Sequence, residues 1–205
     1  ILELQKYFSS SNRDARVRAF PGEGLDLPIW ILGSSTDSAH LAAQMGLPYA
    51  FAAHFAPAQF RAAINIYRQE FRPSTQLEKP YVMACVNVMG AESDEEAELL
   101  TTSLYRLFLG VLTNTRSPLQ PPAPLPADFW TPEVRYAVDS MISCTFTGSA
   151  ETLKEKLAVF IAETGINELM ATSHIYDRGR DYRSSIFNIL DGYFWDVNNW
   201  RHKFS

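Results

Sequence analysis

Cysteine is scarce in this sequence, and long apolar runs and an excess of positive charge are missing from it. The two cysteines, Cys85 and Cys144, lie in apolar stretches with no further Cys or His at metal-ligand spacing, which argues against a disulfide scaffold and a structural zinc site. The longest apolar stretches, residues 28–33 and 81–90, fall far short of the roughly 20 residues needed to span a bilayer. No secretory leader opens the chain. With 18 basic against 23 acidic residues and a net charge of −5, the chain lacks the cationic field that phosphate-backbone binding needs. These absences leave no nucleic-acid or membrane partner and point to a soluble, cytoplasmic protein. Walker and GxGxxG patterns are also missing, so nucleotide hydrolysis and a dinucleotide fingerprint have no support.

What is present suits one globular core, because 205 residues with 46% hydrophobic and 20% charged content can bury ample apolar surface. The first residue is Ile rather than Met, and residues 1–8 have helical periodicity with no capping residue before them, so the chain reads as entered within a helix. A turn-rich passage follows, ending at Pro21-Gly22-Glu23-Gly24. Residues 28–33 then form a continuous apolar run, the pattern of a strand covered on both faces in a parallel sheet. Ser34, Ser35, Thr36, Asp37 and Ser38 offer N-cap oxygens for a helix that Gly46 stops.

The same strand-helix order recurs with a strand at 49–53 and a helix from Pro57 to about residue 72, then a strand at 81–89 and a helix opened by Ser93-Asp94-Glu95-Glu96. Five prolines between residues 113 and 130 exclude regular structure there. A short helix from Thr131, a helix from Gly148 to Gly165, a strand at 167–172 and an amphipathic helix over about 181–194 complete the chain. Four strand-helix units imply parallel strands and an α/β fold. Too few for a closed barrel of eight strands, they fit either an open doubly wound sheet or the second half of a barrel.

Chemistry concentrates where strands end. Gly33, Ser34, Ser35 and Ser38 surround a turn into a helix, where N–H groups and hydroxyls suit a phosphate; the commoner role of such residues is ordinary capping, and Asp37 would repel a dianion. His54 and His174 follow predicted strands, as a metal pair with Asp177 or as solvent-facing loop residues. His40 and His202 have no such setting. Arg178, Arg180 and Arg183 lie near the same edge with Asp177 and Asp181, either as an anion site or as surface ion pairs. Met83, Met89 and Met170 suit core filling.

Several of these segments together resemble the luciferase-like flavin-dependent monooxygenases. The run from Pro21 through Gly33-Ser34-Ser35, then residues 42–52 and His54-Phe55, is similar to that family's fifth and sixth barrel units. Residues 79–82 with 94–97 resemble the seventh unit, and residues 146–149 through 168–170 and Arg183-Ser184 the eighth. The resemblance implies a (β/α)8 TIM barrel of which this chain carries about four C-terminal units. It further implies FMN as cofactor, used in its reduced form and supplied by a flavin reductase, with O2 and an organic small molecule as substrates.

Carried over, it makes Gly33, Ser34, Ser35 and Ser38 phosphate contacts and puts His54 at the barrel mouth as the candidate catalytic residue. The Pro-rich stretch matches the family's mobile active-site loop. An isolated half-barrel would have one open face and two sheet edges, so self-association into a homo-oligomer is expected. Two further readings stay open: a protein that binds flavin or another phosphate ligand without turnover, and a metal-dependent hydrolase built on His54, His174 and Asp177.

Overall fold

A computed structural model describes residues 1–12, 15–126 and 128–176. The expected terminal helix over 181–194, with Asp177, Arg178, Arg180, Asp181, Arg183, Ser184 and His202, lies outside the described residues.

Six helices and five strands occur among the described residues: α1 (Leu2–Phe8), β1 (Ile31–Gly33), α2 (Thr36–Met45), β2 (Tyr49–Phe51), α3 (Phe60–Glu70), β3 (Val82–Gly90), α4 (Asp94–Leu112), α5 (Pro132–Ile142), β4 (Thr145–Gly148), α6 (Ala150–Thr164) and β5 (Glu168–Thr172). The turn residues set these bounds. Gly46 takes a left-handed conformation (φ 61°) and its N–H returns to the last turn of α2, as a helix-terminating glycine does. Pro57 opens a single 3₁₀ turn before α3 rather than the helix itself. Ser93 caps α4 by accepting from the Glu96 N–H at 3.2 Å, as the spacing predicts.

One strand escaped the sequence pattern. Thr145–Gly148 pairs in parallel with Asn87–Gly90, but four residues split between Thr, Phe and Gly show neither alternation nor a long apolar run. The strand expected at 167–172 is therefore the fifth.

All pairings are parallel, and β1, β2, β3 and β5 are neighbours in chain order. The registers of β2 and β5 both include Met83 and Ala84, so those two strands flank β3 on opposite edges. A doubly wound sheet reverses its strand order at a switch point, and this one does not; the open-sheet alternative is corrected on that ground.

Burial gives the same answer. Ile31, Tyr49, Phe51, Val82, Ala84, Val86, Val88 and Leu169 point into one core with Ala39, Ala42, Ala43, Phe60, Ile64, Leu153, Leu157 and Phe160 from the helices. The alternate residues face the other way, where Leu32 is 72% and Met170 51% exposed. The strands are thus covered on one face, not two as the apolar run at 28–33 suggested. Among the described residues that second face is covered only in part, as the inner wall of a barrel segment would be.

Tertiary hydrogen bonds lock the helix layer. Arg68 of α3 donates to the Thr164 and Gly165 carbonyls at 2.7 and 2.6 Å, placing a cation at the carbonyl end of α6. The Pro-rich strap is held to α4 in the same way. Arg106 donates to the carbonyls of Pro121, Ala123 and Pro124 at 3.0, 3.1 and 3.4 Å, and Thr102 Oγ1 accepts from the Ala123 N–H. At the core, the buried Tyr67 hydroxyl donates to the Leu47 carbonyl at 2.9 Å and accepts from the Tyr81 N–H at 3.1 Å. It therefore serves the approaches to both β2 and β3. Replacing it in Tyr67→Phe strands a carbonyl and an N–H, and should cost about 1–3 kcal/mol of stability in urea unfolding; an unchanged midpoint would show that these groups find other partners.

Candidate functional site

The C-terminal ends of parallel strands gather β-to-helix turns at one rim, and two polar clusters form there. The first sits where β1 turns into α2. Gly33 is required by close approach: a methyl group on its Cα would collide with Ser38 Oγ and Cβ. Ser38 Oγ donates to the Ser35 carbonyl at 2.7 Å and meets the Tyr49 hydroxyl at 2.9 Å, and that hydroxyl also reaches the Ser35 carbonyl at 3.1 Å. Burial pushes the Tyr49 phenol above its ordinary pKa, with the Ser38 hydrogen bond pulling weakly the other way, so it stays a neutral donor. The turn is thereby braced from beneath.

Its outer side is left free. Ser35 occupies the N-cap position of α2 without a side-chain cap hydrogen bond, unlike Ser93 and Thr131, whose hydroxyls cap α4 and α5. Among the described residues the half-buried Ser34 and Ser35 hydroxyls have no hydrogen-bond partner, and of the first-turn N–H groups only that of Thr36 is taken by a side chain, Gln59 Oε1 at 3.2 Å. Asp37 is exposed and does not fold back onto these N–H groups.

The contrast with α6 is instructive. There Asp94 accepts from the Ser149 N–H at 2.6 Å and from Thr152 Oγ1 at 2.9 Å, and these bonds hold its carboxyl below the usual range. An internal carboxylate thus fills the start of α6, while the start of α2 has free donors.

The second cluster joins three strands. Asn87 of β3 is fully buried, and its Nδ2 donates to the His54 carbonyl at 2.6 Å and to Thr145 Oγ1 at 3.3 Å. His54 follows β2, and His174 follows the β5 residue Thr172 that pairs with Asn87. The two rings are close enough to repel one another when charged, and burial lowers the pKa of both below 6.5, the ordinary imidazole value. For His54 the burial effect is the largest, His174 adds to it, and a Cys85 backbone hydrogen bond opposes it. Nδ1 of each ring is buried without a partner.

Among the described residues no group of three His, Cys, Asp or Glu side chains could hold a metal ion, and Asp177 of the metal reading lies outside them. His40 instead pairs with Glu70 at 2.6 Å on the exterior. No helix among the described residues is long and apolar enough to cross a membrane. Sequence reasoning missed Asn87, since an Asn inside an apolar strand has no motif around it; its position within an otherwise uninterrupted run was the available clue.

A family model described as luciferase-like monooxygenase matches residues 6–168. The chain belongs to this family. It is 42% identical over 183 residues to the uncharacterized protein YvbT of Bacillus subtilis (strain 168), covering 89% of this chain and 54% of YvbT. It is 39% identical over 177 residues to a luciferase-like monooxygenase of Escherichia coli (strain K12), covering 86% of this chain and 53% of that protein.

Among solved structures, apo-MsnO8 superposes with a TM-score of 0.73 at 25% identity, over 93% of this chain and 58% of its own. The oxygenating constituent of a 3,6-diketocamphane monooxygenase from Pseudomonas putida, in complex with FMN, shares the fold at 15% identity and a TM-score of 0.50, over 84% and 49%. The chain therefore spans about half the length of the curated luciferase-like relatives it matches. Its strands and helices are about four units of the family's barrel.

The depressed imidazoles set a direction for pH dependence. Well above pH 6.5, the ordinary imidazole value, both rings are neutral folded or unfolded. As pH falls through 6.5 the unfolded chain takes up protons that the folded chain refuses, so stability falls over the interval just below that value. Urea midpoints across that interval should decline in the native chain and decline less in His174→Phe; equal slopes would mean that His174 titrates as if in water.

Proposed function

We propose that this chain supplies the FMN phosphate site and part of the substrate wall of a flavin-dependent luciferase-like monooxygenase, which uses reduced FMN and O2 to oxygenate an organic small molecule. The observation that carries the reading is the unspent start of α2. Gly33 lets the turn close, and among the described residues the Ser34 and Ser35 hydroxyls have no partner and the N–H groups of Asp37 and Ser38 no side-chain cap. The hydroxyl of Ser38 braces the turn, so its own contribution to a phosphate is through its N–H. Such donors with a helix dipole behind them fit a phosphate monoester. The FMN complex of a protein with the same fold supports that cofactor.

Bound flavin would supply the redox chemistry with O2. The chain's own work is to hold the phosphate, to present the open face of β1, β2, β3 and β5 as one wall of the pocket, and to place neutral His54 at its mouth. That wall is apolar and half a barrel wide, so the complete pocket needs a second half. The chain's half-length match to its relatives supports a longer parent enzyme, and the exposed Leu32 and Met170 support self-association of this chain where that second half is missing. Reduced flavin in the parent comes from a separate flavin reductase.

Titration with oxidised FMN, followed by flavin fluorescence, tests the phosphate site. FMN should bind more tightly than riboflavin, which lacks the phosphate. Ser35→Ala should weaken FMN by about five- to tenfold, the loss of one charge-assisted hydrogen bond, and leave riboflavin unchanged. Asp37→Asn should tighten FMN by a factor of about two to five, because a carboxylate in the first turn opposes the dianion. Equal affinities for FMN and riboflavin would overturn the assignment.

A further inference from the structure

The second cluster has more hydrogen-bonding capacity than the protein uses. Asn87 cannot be turned over to relieve this, because its Nδ2 is committed to the His54 carbonyl and Thr145 Oγ1. Its Oδ1 is then a fully buried acceptor without a donor. Nδ1 of His54, whose backbone carbonyl the same amide holds, and Nδ1 of His174, two residues beyond the strand residue paired with Asn87, are likewise buried and without a partner. Buried polar atoms are nearly always satisfied, and an orphaned acceptor in one cluster with two orphaned ring nitrogens is a binding site's signature more than a folding device's. We propose that His54, Asn87 and His174 form the head-group site for an uncharged amphiphile whose hydroxyl or amide both donates and accepts a hydrogen bond. As a substrate site this rests on the monooxygenase reading above; as a binding site it stands on these atoms alone.

The chemistry selects the head group. A neutral imidazole has one N–H and one lone pair, so the cluster presents at least one fixed acceptor, Asn87 Oδ1, and ring nitrogens of either kind. A hydroxyl donates to Oδ1 and accepts from an imidazole N–H. A carboxylate or an ether only accepts and leaves Oδ1 stranded. A cation could donate, but among the described residues no carboxylate is hydrogen-bonded or ion-paired to His54, Asn87 or His174, and an uncompensated charge there is costly.

The tail follows from the register. Met83 and Cys85 lie on the Asn87 face of β3 by strand alternation, with Ala50 of β2 opposite Met83, Leu32 of β1 opposite Ala50, and Met170 of β5 opposite Cys85. An apolar lane thus descends from the cluster along the barrel wall for about 13 Å between Asn87 and Met83, at 3.3 Å per residue. Burial keeps the Cys85 thiol protonated, so the lane carries no charge there.

The test titrates the full chain, without flavin, with n-octanol, methyl octyl ether and octanoate, reading the His54 and His174 ring resonances by nitrogen-detected NMR. Octanol should shift both rings saturably and bind about tenfold or more tightly than the ether or octanoate. His174→Phe should weaken octanol and the ether alike, because both accept from an imidazole N–H, and leave octanol the tighter. Asn87→Leu should bring octanol down to the ether's affinity if circular dichroism shows it folded; the common loss in His174→Phe decides if it is not. Equal affinity for octanol and the ether, or octanol binding that leaves both rings unmoved, would overturn the proposal. The FMN titration reports on the start of α2 independently: octanol failing while FMN binds removes this inference alone, and the converse removes only the phosphate site.

Discussion

Side-chain alternation along β3 is the constraint from which both clusters follow. Val82, Ala84, Val86 and Val88 pack against the helices, so Met83, Cys85 and Asn87 must face the opposite way. That obligation puts a fully buried amide on the inner wall, where it draws the end of β2 and the start of β4 together through one NH2 group. A single residue slip would bury Met83 and Cys85 among the helices and send four aliphatic side chains to the open face. The helix layer holds the register by its own polar ties, through Tyr67 between the approaches to β2 and β3, and through Arg68 between α3 and the end of α6.

The two rim clusters differ in how they avoid self-satisfaction. At α2 the hydroxyl of Ser38, in the first turn, is pulled beneath the turn by the Ser35 carbonyl and Tyr49, and the N-cap Ser35 makes no side-chain cap. The donors above it stay unspent. At Asn87 the donors are spent and the acceptor is left over. On the proposals made above, the first cluster would receive an anion and the second a neutral group.

Much of the fold was legible because it depends on local signals. Gly46 and Gly165 stop helices in left-handed conformations, Ser93 caps α4, and the apolar periods of α3 and α6 place Phe60, Ile64 and Tyr67, and Leu153, Leu157 and Phe160, on buried faces. What escaped depends on tertiary pairing. The strand Thr145–Gly148 exists because β3 is long enough to offer it an edge, and a continuous apolar run does not reveal whether one or both faces of a strand are covered. The Gly33–Ser38 turn was visible as a turn, but its bracing by Tyr49, 11 positions from Ser38, was not. His54 and His174 could be placed together at strand ends from sequence; their company with Asn87 could not.

The grip of Arg106 on the proline strap carries an evolutionary consequence. Proline lacks an N–H, so a segment rich in it can be tied down chiefly through its carbonyls, and one guanidinium collects three of them between Pro121 and Pro124. The residues between Leu112 and Pro118 stand outside that grip. Length can therefore vary there among descendants of this chain, reshaping what enters the rim, while the anchored portion and the barrel wall beneath it keep their places.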